Sequence, residues 1–408
     1  MNMTPVAGGV CAAKGFRAAG MHCGIRKNTS KKDVALIVAD VPCAAAGVYT
    51  QNKVFAAPVG VTRAHLANGV AQAVICNSGN ANTCNSDGYE KAEATCKAVA
   101  EELGISSDDV IVASTGVIGV PLPLDPILNA IRPLKHSLWN DAEAGDAAAT
   151  AIMTTDTKKK EFSFSFDLDG VTVSLGGICK GSGMIEPNMA TMLGFITTDA
   201  AITSELLQKA LKYAIGDTFN MVSVDRDTST NDMVTVLASG MAGNPIIDSE
   251  NDAFCTFRRA LFFLCREMAM AIAADGEGAT KLLECTVRGT ADHDTAKVLA
   301  KSVIRSSLVK AAMFGADANW GRILCALGYA GVDMDPDKVD VTFRSEAGEV
   351  PVCVNGRGIP FDEDIAKKVL TEQKIIIDVD MKSGFDSATA WGCDLTYEYV
   401  RINGDYRS

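Results

Sequence analysis

The run Lys180-Gly181-Ser182-Gly183-Met184-Ile185-Glu186-Pro187-Asn188-Met189-Ala190-Thr191-Met192-Leu193 sets a hydroxyl residue, Thr191, behind a small residue, after glycines and before an apolar stretch. Those residue types suit a chain that cuts itself. Attack of the Thr191 hydroxyl on the Ala190 carbonyl would turn the peptide into an ester. Hydrolysis would then leave Thr191 as a new N-terminus with its free amine beside its own hydroxyl. One residue would supply both nucleophile and base. A glycine-rich turn feeding a buried strand is the plain alternative for the same residues.

Other segments carry polar groups of the types such chemistry needs. Ala113-Ser114-Thr115-Gly116-Val117-Ile118-Gly119 closes a strand with small hydroxyl and glycine residues, whose N–H groups either face a developing oxyanion or form an ordinary strand-to-loop turn. Met153-Thr154-Thr155-Asp156-Thr157 is a polar cluster at the end of a helical stretch. Glu277 stands between Gly276 and Gly278, placed to meet a cationic group, with a flexible acidic loop as the alternative. Asp225 to Asp232 imitates a calcium loop in its alternate oxygens. Thr230 stands where that loop needs glycine, however, and Val236 where it needs a bidentate glutamate, so the segment reads as a hydrogen-bonded turn network. None of the four histidines lies in a glycine-rich or polar cluster, and G-x-S-x-G, H-E-x-x-H, Walker and G-x-G-x-x-G motifs are absent.

The elements that must position these groups follow from periodicity. Strands are expected at Val34 to Val38, Ala73 to Cys76 and Val110 to Ala113, with a helix from Tyr89 to Leu103 ending at Gly104. Phe162, Phe164 and Phe166 alternate with serines, Asp169-Gly170 turns, and Val171, Val173 and Leu175 return, an antiparallel hairpin that leads into Lys180. Met192 to Ile196 reads as a strand, Thr203 as a helix cap, Ala253 to Ala274 as a long, mostly buried helix, and Asp294 to Phe314 as another ending at Gly315. A helix near Asp362 to Leu370, a strand Lys374 to Met381 and a final strand Leu395 to Ile402 complete the expectation. The class is α/β, a layered sandwich whose last 120 or so residues form a smaller α/β domain.

Composition narrows the partners. At 408 residues, 48% hydrophobic and 22% charged, the chain has the make-up of a globular protein with substantial cores. A net charge of −12 without an arginine-rich stripe argues against nucleic acid or an anionic membrane as partner. The thirteen cysteines are scattered without C-x-x-C pairs, as reduced cytosolic residues filling small core spaces would be. The first sixteen residues lack a continuous apolar run, and Ala253 to Ala274 carries Arg258, Arg259, Arg266 and Glu267, so neither exports nor spans a membrane.

Taken together, the chain resembles the ornithine acetyltransferases of arginine biosynthesis (ArgJ type), self-cleaved enzymes with an N-terminal threonine. The likeness runs through Lys14-Gly15-Phe16, Asn77-Ser78-Gly79-Asn80-Ala81-Asn82, Ser114 to Gly119, Met153 to Thr157, Lys180 to Ile185 and Ala190 to Leu193. It continues through Asp227 to Asp232, Asp275 to Lys281, Phe314-Gly315-Ala316-Asp317-Ala318-Asn319-Trp320-Gly321-Arg322 and Gly392-Cys393-Asp394-Leu395-Thr396-Tyr397. One departure is the terminal Ser408, where many relatives carry threonine; the hydroxyl is kept.

The resemblance implies an α+β layered sandwich with mixed and antiparallel sheets between helices (DmpA/ArgJ-like), cut between Ala190 and Thr191. The resulting chains are 1–190 and 191–408, the second containing the smaller domain at about 285–408, and they associate as a heterotetramer of two and two. The implied reaction moves acetyl from N2-acetyl-L-ornithine to L-glutamate through acetyl-Thr191 by a ping-pong route. Thr115 and Gly116 form the oxyanion hole, and Thr154, Lys180, Thr191, Glu277, Asn403 and Ser408 contact substrate. Asn403 and Ser408 lie in the last six residues, which implies that the C-terminus folds over the site. Exchange of one amide for another is close to balanced, so no metal or nucleotide cofactor is expected, and the setting is cytoplasmic. An acetyl ester awaiting its acceptor calls for a closed, dry pocket between the two chains.

Three alternatives remain at this point: a bifunctional enzyme that also draws acetyl from acetyl-CoA, a self-processed aminopeptidase, and a binding protein whose glycine loops are structural. The self-cleaved readings are checked by intact mass and N-terminal sequencing. Two pieces, one beginning at Thr191, are expected; a single band of 42.9 kDa is what the binding protein would give.

Overall fold

In the computed structural model, which describes residues 2–186 and 192–405, the strands Val171–Lys180 and Leu193–Thr198 lie side by side and antiparallel, with Lys180 opposite Leu193. The chain therefore leaves the sheet after Lys180 and returns at the same rung. Ala190, Thr191 and Ser408 lie outside the described residues.

Among the described residues this sheet has nine strands. Thr4–Pro5, Lys160–Leu168, Val171–Lys180, Leu193–Thr198, Met233–Ala238, Val34–Tyr49, Val70–Asn80 and Val110–Val117 follow one another across it, and Phe16–Met21 adds to Val34–Tyr49. Leu193–Thr198 runs parallel to Met233–Ala238, and Val70–Asn80 parallel to Val110–Val117, while the other pairs are antiparallel. The Phe162, Phe164 and Phe166 hairpin forms as its alternation requires, turning at Asp169, whose φ of +54° is the left-handed conformation that aspartate tolerates.

A second sheet runs Arg357–Gly358, Gly348–Val354, Asp340–Ser345, Lys374–Asp380, Leu282–Thr290, Asp386–Cys393 and Val222–Ser223. The helix Asp252–Ala274 lies between the two sheets. It buries Phe254, Phe257, Leu261, Leu264, Met268 and Ile272 in one core with Leu175, Ile196 and Val234 of the first sheet and Leu283, Cys285 and Ala390 of the second. Burial on opposite faces explains why this helix reads as mostly apolar, with its arginines left at the margins. The architecture is the mixed layered sandwich expected. Among the described residues no helix is long and apolar enough to cross a membrane.

Two local expectations are corrected. Leu395 to Ile402 is not a strand: Tyr397–Gly404 is a helix, started by Thr396, whose Oγ1 accepts the Glu398 N–H at 3.2 Å, and supported by a Glu398–Arg401 ion pair one turn apart. Its tyrosines and valine suggest a strand, but Tyr397 and Val400 are exposed, so no sheet face rewards that propensity and the cap decides. Asp294 to Phe314 is not one helix either. It breaks at Ser306, extended at φ −68° and ψ 113°, which ends His293–Arg305 and caps Ser307–Phe314 through its own Oγ. A serine inside an apolar period was read as a helical position, whereas its side chain serves a backbone N–H.

The most consequential contact in the fold joins segments far apart in sequence. Lys160 is buried, and its Nζ lies 2.7 Å from Asp156 Oδ1 and 2.5 Å from Asp275 Oδ2, at the end of the central helix. Burial alone would lower the Lys160 pKa, but the two carboxylates hold it above the ordinary lysine value. Burial would raise Asp156, yet the charges of Lys180 and Lys160 bring it down to about 2. Asp156 therefore stabilises the fold fully above its unfolded value of 3.8, and that contribution fades as the pH falls from there towards 2. Lys160→Met would strand two buried carboxylates. A loss of about 3–5 kcal/mol in denaturant-unfolding free energy at neutral pH is expected, and an unchanged midpoint would refute the assignment.

Candidate active site

The bend that forms one wall begins in the parallel pair Val70–Asn80 and Val110–Val117. Their register slips at Gly79 and Asn80 opposite Thr115 and Gly116. Gly116 has φ +136°, and a Cβ there would sit 2.3 Å from the Gly79 carbonyl carbon, so only glycine fits. Asn231 holds this bend in place. Its Nδ2 donates to the carbonyls of Ala81 (2.6 Å) and Ser114 (2.8 Å), while its Oδ1 accepts from the hydroxyls of Thr83 (2.8 Å) and Thr230 (2.6 Å).

The second wall hangs on the buried Lys160 cluster. Asp156 accepts the Gly181 N–H at 2.8 Å and the Thr154 N–H at 2.9 Å. Asp275 accepts the Thr157 and Lys158 N–H groups, and its own carbonyl accepts the Ser182 hydroxyl at 2.7 Å. One step further on, the Glu277 N–H donates to Ser182 O at 3.0 Å. The carboxylate of Glu277 passes over Gly183, where any Cβ would lie 2.3 Å from its carboxyl carbon. Its Oε2 accepts from Asn403 Nδ2 at 2.7 Å, so the C-terminal helix closes against it.

Between these walls is a cavity of about 340 Å³. Thr115, Gly116, Thr154, Lys180, Glu277 and Asn403, all named from the sequence, line it together. Thr155, Ser229, Thr230 and Asn231 add polar groups, and Val117, Ile118 and Met184 an apolar side. No histidine lines it. Lys180 is only 8% exposed and, among the described residues, its ammonium makes no direct ion pair or hydrogen bond. The cavity thus holds one fixed cation and one fixed carboxylate in a small, largely desolvated space, where charge-assisted bonds to a ligand gain strength. Larger clefts elsewhere, such as the one of about 460 Å³ beside Trp391, gather none of these groups.

Both flanks of the Ala190–Thr191 bond are anchored. On one side Asp225 accepts the N–H groups of Met184 (2.6 Å) and Ile185 (2.8 Å), Glu186 N donates to Asp227 O at 2.9 Å, and Thr228 Oγ1 donates to Glu186 O at 3.0 Å. On the other side Met233 N donates to Met192 O at 3.0 Å. The Asp225 to Asp232 segment is thus a turn network that binds backbone. Among the described residues no group of His, Cys, Asp or Glu side chains has the make-up of a metal site.

Sequence reasoning passed over Lys160 altogether and saw Asp156 and Asn231 only as members of polar runs. A lysine at the head of an alternating strand gives no sign that it turns inward; the one signal was its spacing of four from Asp156. Asp232, beside Asn231, was missed in the same way. It is 2% exposed, and its Oδ2 has no hydrogen-bond partner. Burial holds its carboxyl well above its ordinary pKa against the opposing pull of Ser229, Lys180, Thr50 and the Met192 amide.

Comparison with known proteins places the whole pattern. A family model described as "ArgJ family" matches residues 17–408. The arginine biosynthesis bifunctional protein ArgJ 1 of Clostridium acetobutylicum is 52% identical over 394 residues, covering 96% of both chains. The arginine biosynthesis bifunctional protein ArgJ of Symbiobacterium thermophilum is 51% identical over 405 residues and 99% of both. A crystal structure of the argJ protein of Bacillus halodurans is 44% identical with a TM-score of 0.50, covering 52% of this chain and 98% of that one.

The raised Asp232 pKa carries a sign that can be tested. A carboxyl whose folded value lies above its unfolded one costs stability as the pH rises from about 4 towards the folded value, by up to about 1.4 kcal/mol per pH unit. Asp232→Asn removes that cost. The melting-temperature difference, variant minus parent, is expected to grow between pH 4 and pH 8, and a flat or falling difference would count against the buried neutral carboxyl.

Proposed function

The chain belongs to the ArgJ family, and we propose from that premise and from the cavity that it moves acetyl from N2-acetyl-L-ornithine to L-glutamate, giving L-ornithine and N-acetyl-L-glutamate for arginine biosynthesis. It is bifunctional, drawing acetyl from acetyl-CoA as well, in keeping with the names of its relatives.

The observation that carries this reading is the pairing of Lys180 and Glu277 in one cavity with the Thr115–Gly116 bend. The ammonium of Lys180 suits a substrate carboxylate, and the carboxylate of Glu277 suits a substrate ammonium. Acetylornithine carries both groups. The apolar side made by Val117, Ile118 and Met184 suits the methylenes between them.

In the proposed sequence, the Thr191 hydroxyl first attacks the Ala190 carbonyl, the C–N bond breaks to leave an ester with the amine protonated, and water hydrolyses that ester to free Thr191 as an N-terminus. Its α-amine, with a reference pKa of about 7.7–8.0, is substantially neutral near neutral pH and accepts the hydroxyl proton, which an amide nitrogen cannot do. Attack on the acetyl carbonyl gives a tetrahedral oxyanion, to which Thr115 and Gly116 donate. Collapse expels ornithine, which takes the proton, and leaves acetyl-Thr191; the amine of glutamate then attacks the ester and regenerates the hydroxyl. One amide replaces another, so the reaction calls for no metal or nucleotide cofactor. Thr154, Asn403 and Ser408 complete the substrate contacts.

The chains 1–190 and 191–408 would stay together after cleavage. Val171–Lys180 belongs to the first and Leu193–Thr198 to the second, and they share a ladder; Val34–Tyr49 and Met233–Ala238 share another. The Bacillus halodurans chain, matched almost entirely by about half of this one, has the length relation expected of such a product. A heterotetramer of two of each chain, with residues from about 285 to 408 as a smaller domain, completes the reading.

Each oxyanion donor in comparable sites contributes roughly 10²–10³ in rate. Thr115→Ala is expected to slow self-cleavage and acetyl transfer together, followed by denaturing gel and by ornithine release. Wild-type rates of both would overturn the role of Thr115.

A further inference from the structure

A second cleft, separate from the catalytic cavity, opens where the strand Val34–Tyr49 gives way to the helix Ala57–His65. It has a volume of about 440 Å³ and is lined by residues 47–53 with Phe55, Arg63 and Lys212. Three cations, Lys53, Arg63 and Lys212, face it, and no carboxylate does. Among the described residues none of the three makes an ion pair, although the chain carries a net charge of −12. Arg63 stacks against two rings, 5.2 Å from the centroids of Tyr49 and Phe55. Phe55 and Val54 are 39% and 54% exposed, so an apolar and aromatic surface lies open beside the cations. Aromatic faces flanked by unpaired cations are what a purine carrying phosphates requires.

The cleft also touches the catalytic loop. Thr50 donates from its N–H to Asp232 O at 2.9 Å and from its hydroxyl to Ser229 O at 2.8 Å. Asn52 Nδ2 donates to Thr228 O at 2.9 Å, and Ala56 N to Thr230 O at 2.9 Å. Ser229 and Thr230 line the catalytic cavity, so Thr50 of the cleft bonds directly to a residue of the cavity wall. The other cationic cleft, beside Arg226, lacks this character: its Arg305 pairs with Glu186 and its Lys301 donates to the Asn220 carbonyl.

We propose that this cleft holds the phosphorylated adenosine end of acetyl-CoA. The base rests on Phe55 and Tyr49, the phosphates meet Lys53, Arg63 and Lys212, and the pantetheine arm crosses the 228–230 loop into the catalytic cavity. This rests on the bifunctional reading above. The thioester C–S bond breaks as the acetyl–Oγ bond to Thr191 forms, and the hydroxyl proton leaves on the CoA thiol. Acetylornithine carries no nucleotide and has no use for the cleft.

The test uses the matured full-length enzyme with glutamate as acceptor and compares three donors: acetyl-CoA, acetyl-pantetheine and N2-acetylornithine. The variants are Lys53→Gln/Lys212→Gln and Phe55→Ala, all surface changes. A rise of about tenfold or more in KM for acetyl-CoA is expected, matching the loss of charge-assisted or stacking contacts, with acetyl-pantetheine and acetylornithine kinetics unchanged. Unchanged KM for acetyl-CoA in both variants, or an equal rise for all three donors, overturns the cleft assignment alone. If the parent enzyme releases no CoA from acetyl-CoA while still using acetylornithine, the bifunctional reading falls and the cleft assignment with it.

Discussion

A single buried ammonium organises the site. Lys160 reaches Asp156 and Asp275, and through them it fixes the loop carrying Thr154, the Gly181 amide at the edge of the excursion, and the helix end that presents Glu277. Isolated charges at this depth would be prohibitively costly. As a hydrogen-bonded triad they lock three segments whose positions the substrate must find already set. The energy of such a triad is a poor measure of its value, since an apolar replacement can be as stable. What the triad supplies is geometry: Lys180 and Glu277 project into the cavity from segments that the triad ties together.

The same sheet would reconcile the proposed backbone cut with a rigid site. Lys180 and Leu193 face each other across a ladder, so the excursion between them can be opened without disturbing the pairing on either side. Its flanks are held by separate devices, Asp225 and the 227–228 backbone before it and Met233 after it. A nucleophile born at a new chain end would normally bring fraying with it. In the proposed cleavage the new end would adjoin Met192, whose carbonyl accepts the Met233 N–H, with the Asn231 amide bridging from the neighbouring turn to the strand that carries Thr115.

Much of this was legible before any coordinates. The hairpin of alternating phenylalanines, the glycine-terminated helix ending at Leu103 and the long buried helix each follow from a local period and its caps, and each formed within a few residues of expectation. Thr191, the Thr115–Gly116 turn and Glu277 were legible from residue types and their glycine neighbours, whereas Thr154, Lys180, Asn403 and Ser408 as substrate contacts came only from the resemblance, since a lysine or an asparagine near a chain end carries no mark of its own. The errors share one cause. Tyr397–Gly404 and the break at Ser306 turn on whether a hydroxyl caps a backbone N–H, a choice between local partners that propensity alone does not rank.

Composition and order along the chain determined the class of fold, the expectation of self-cleavage at Thr191 and the family, because these depend on periodicity and on motifs that stay contiguous. The tertiary structure decided which charges meet. Lys160 and Asp275 are 115 residues apart, Asn403 and Glu277 126, and Thr50 and Ser229 179. Such partners find each other only when sheet register and a central helix bring their backbones together, and the low dielectric around them then makes the pairing matter.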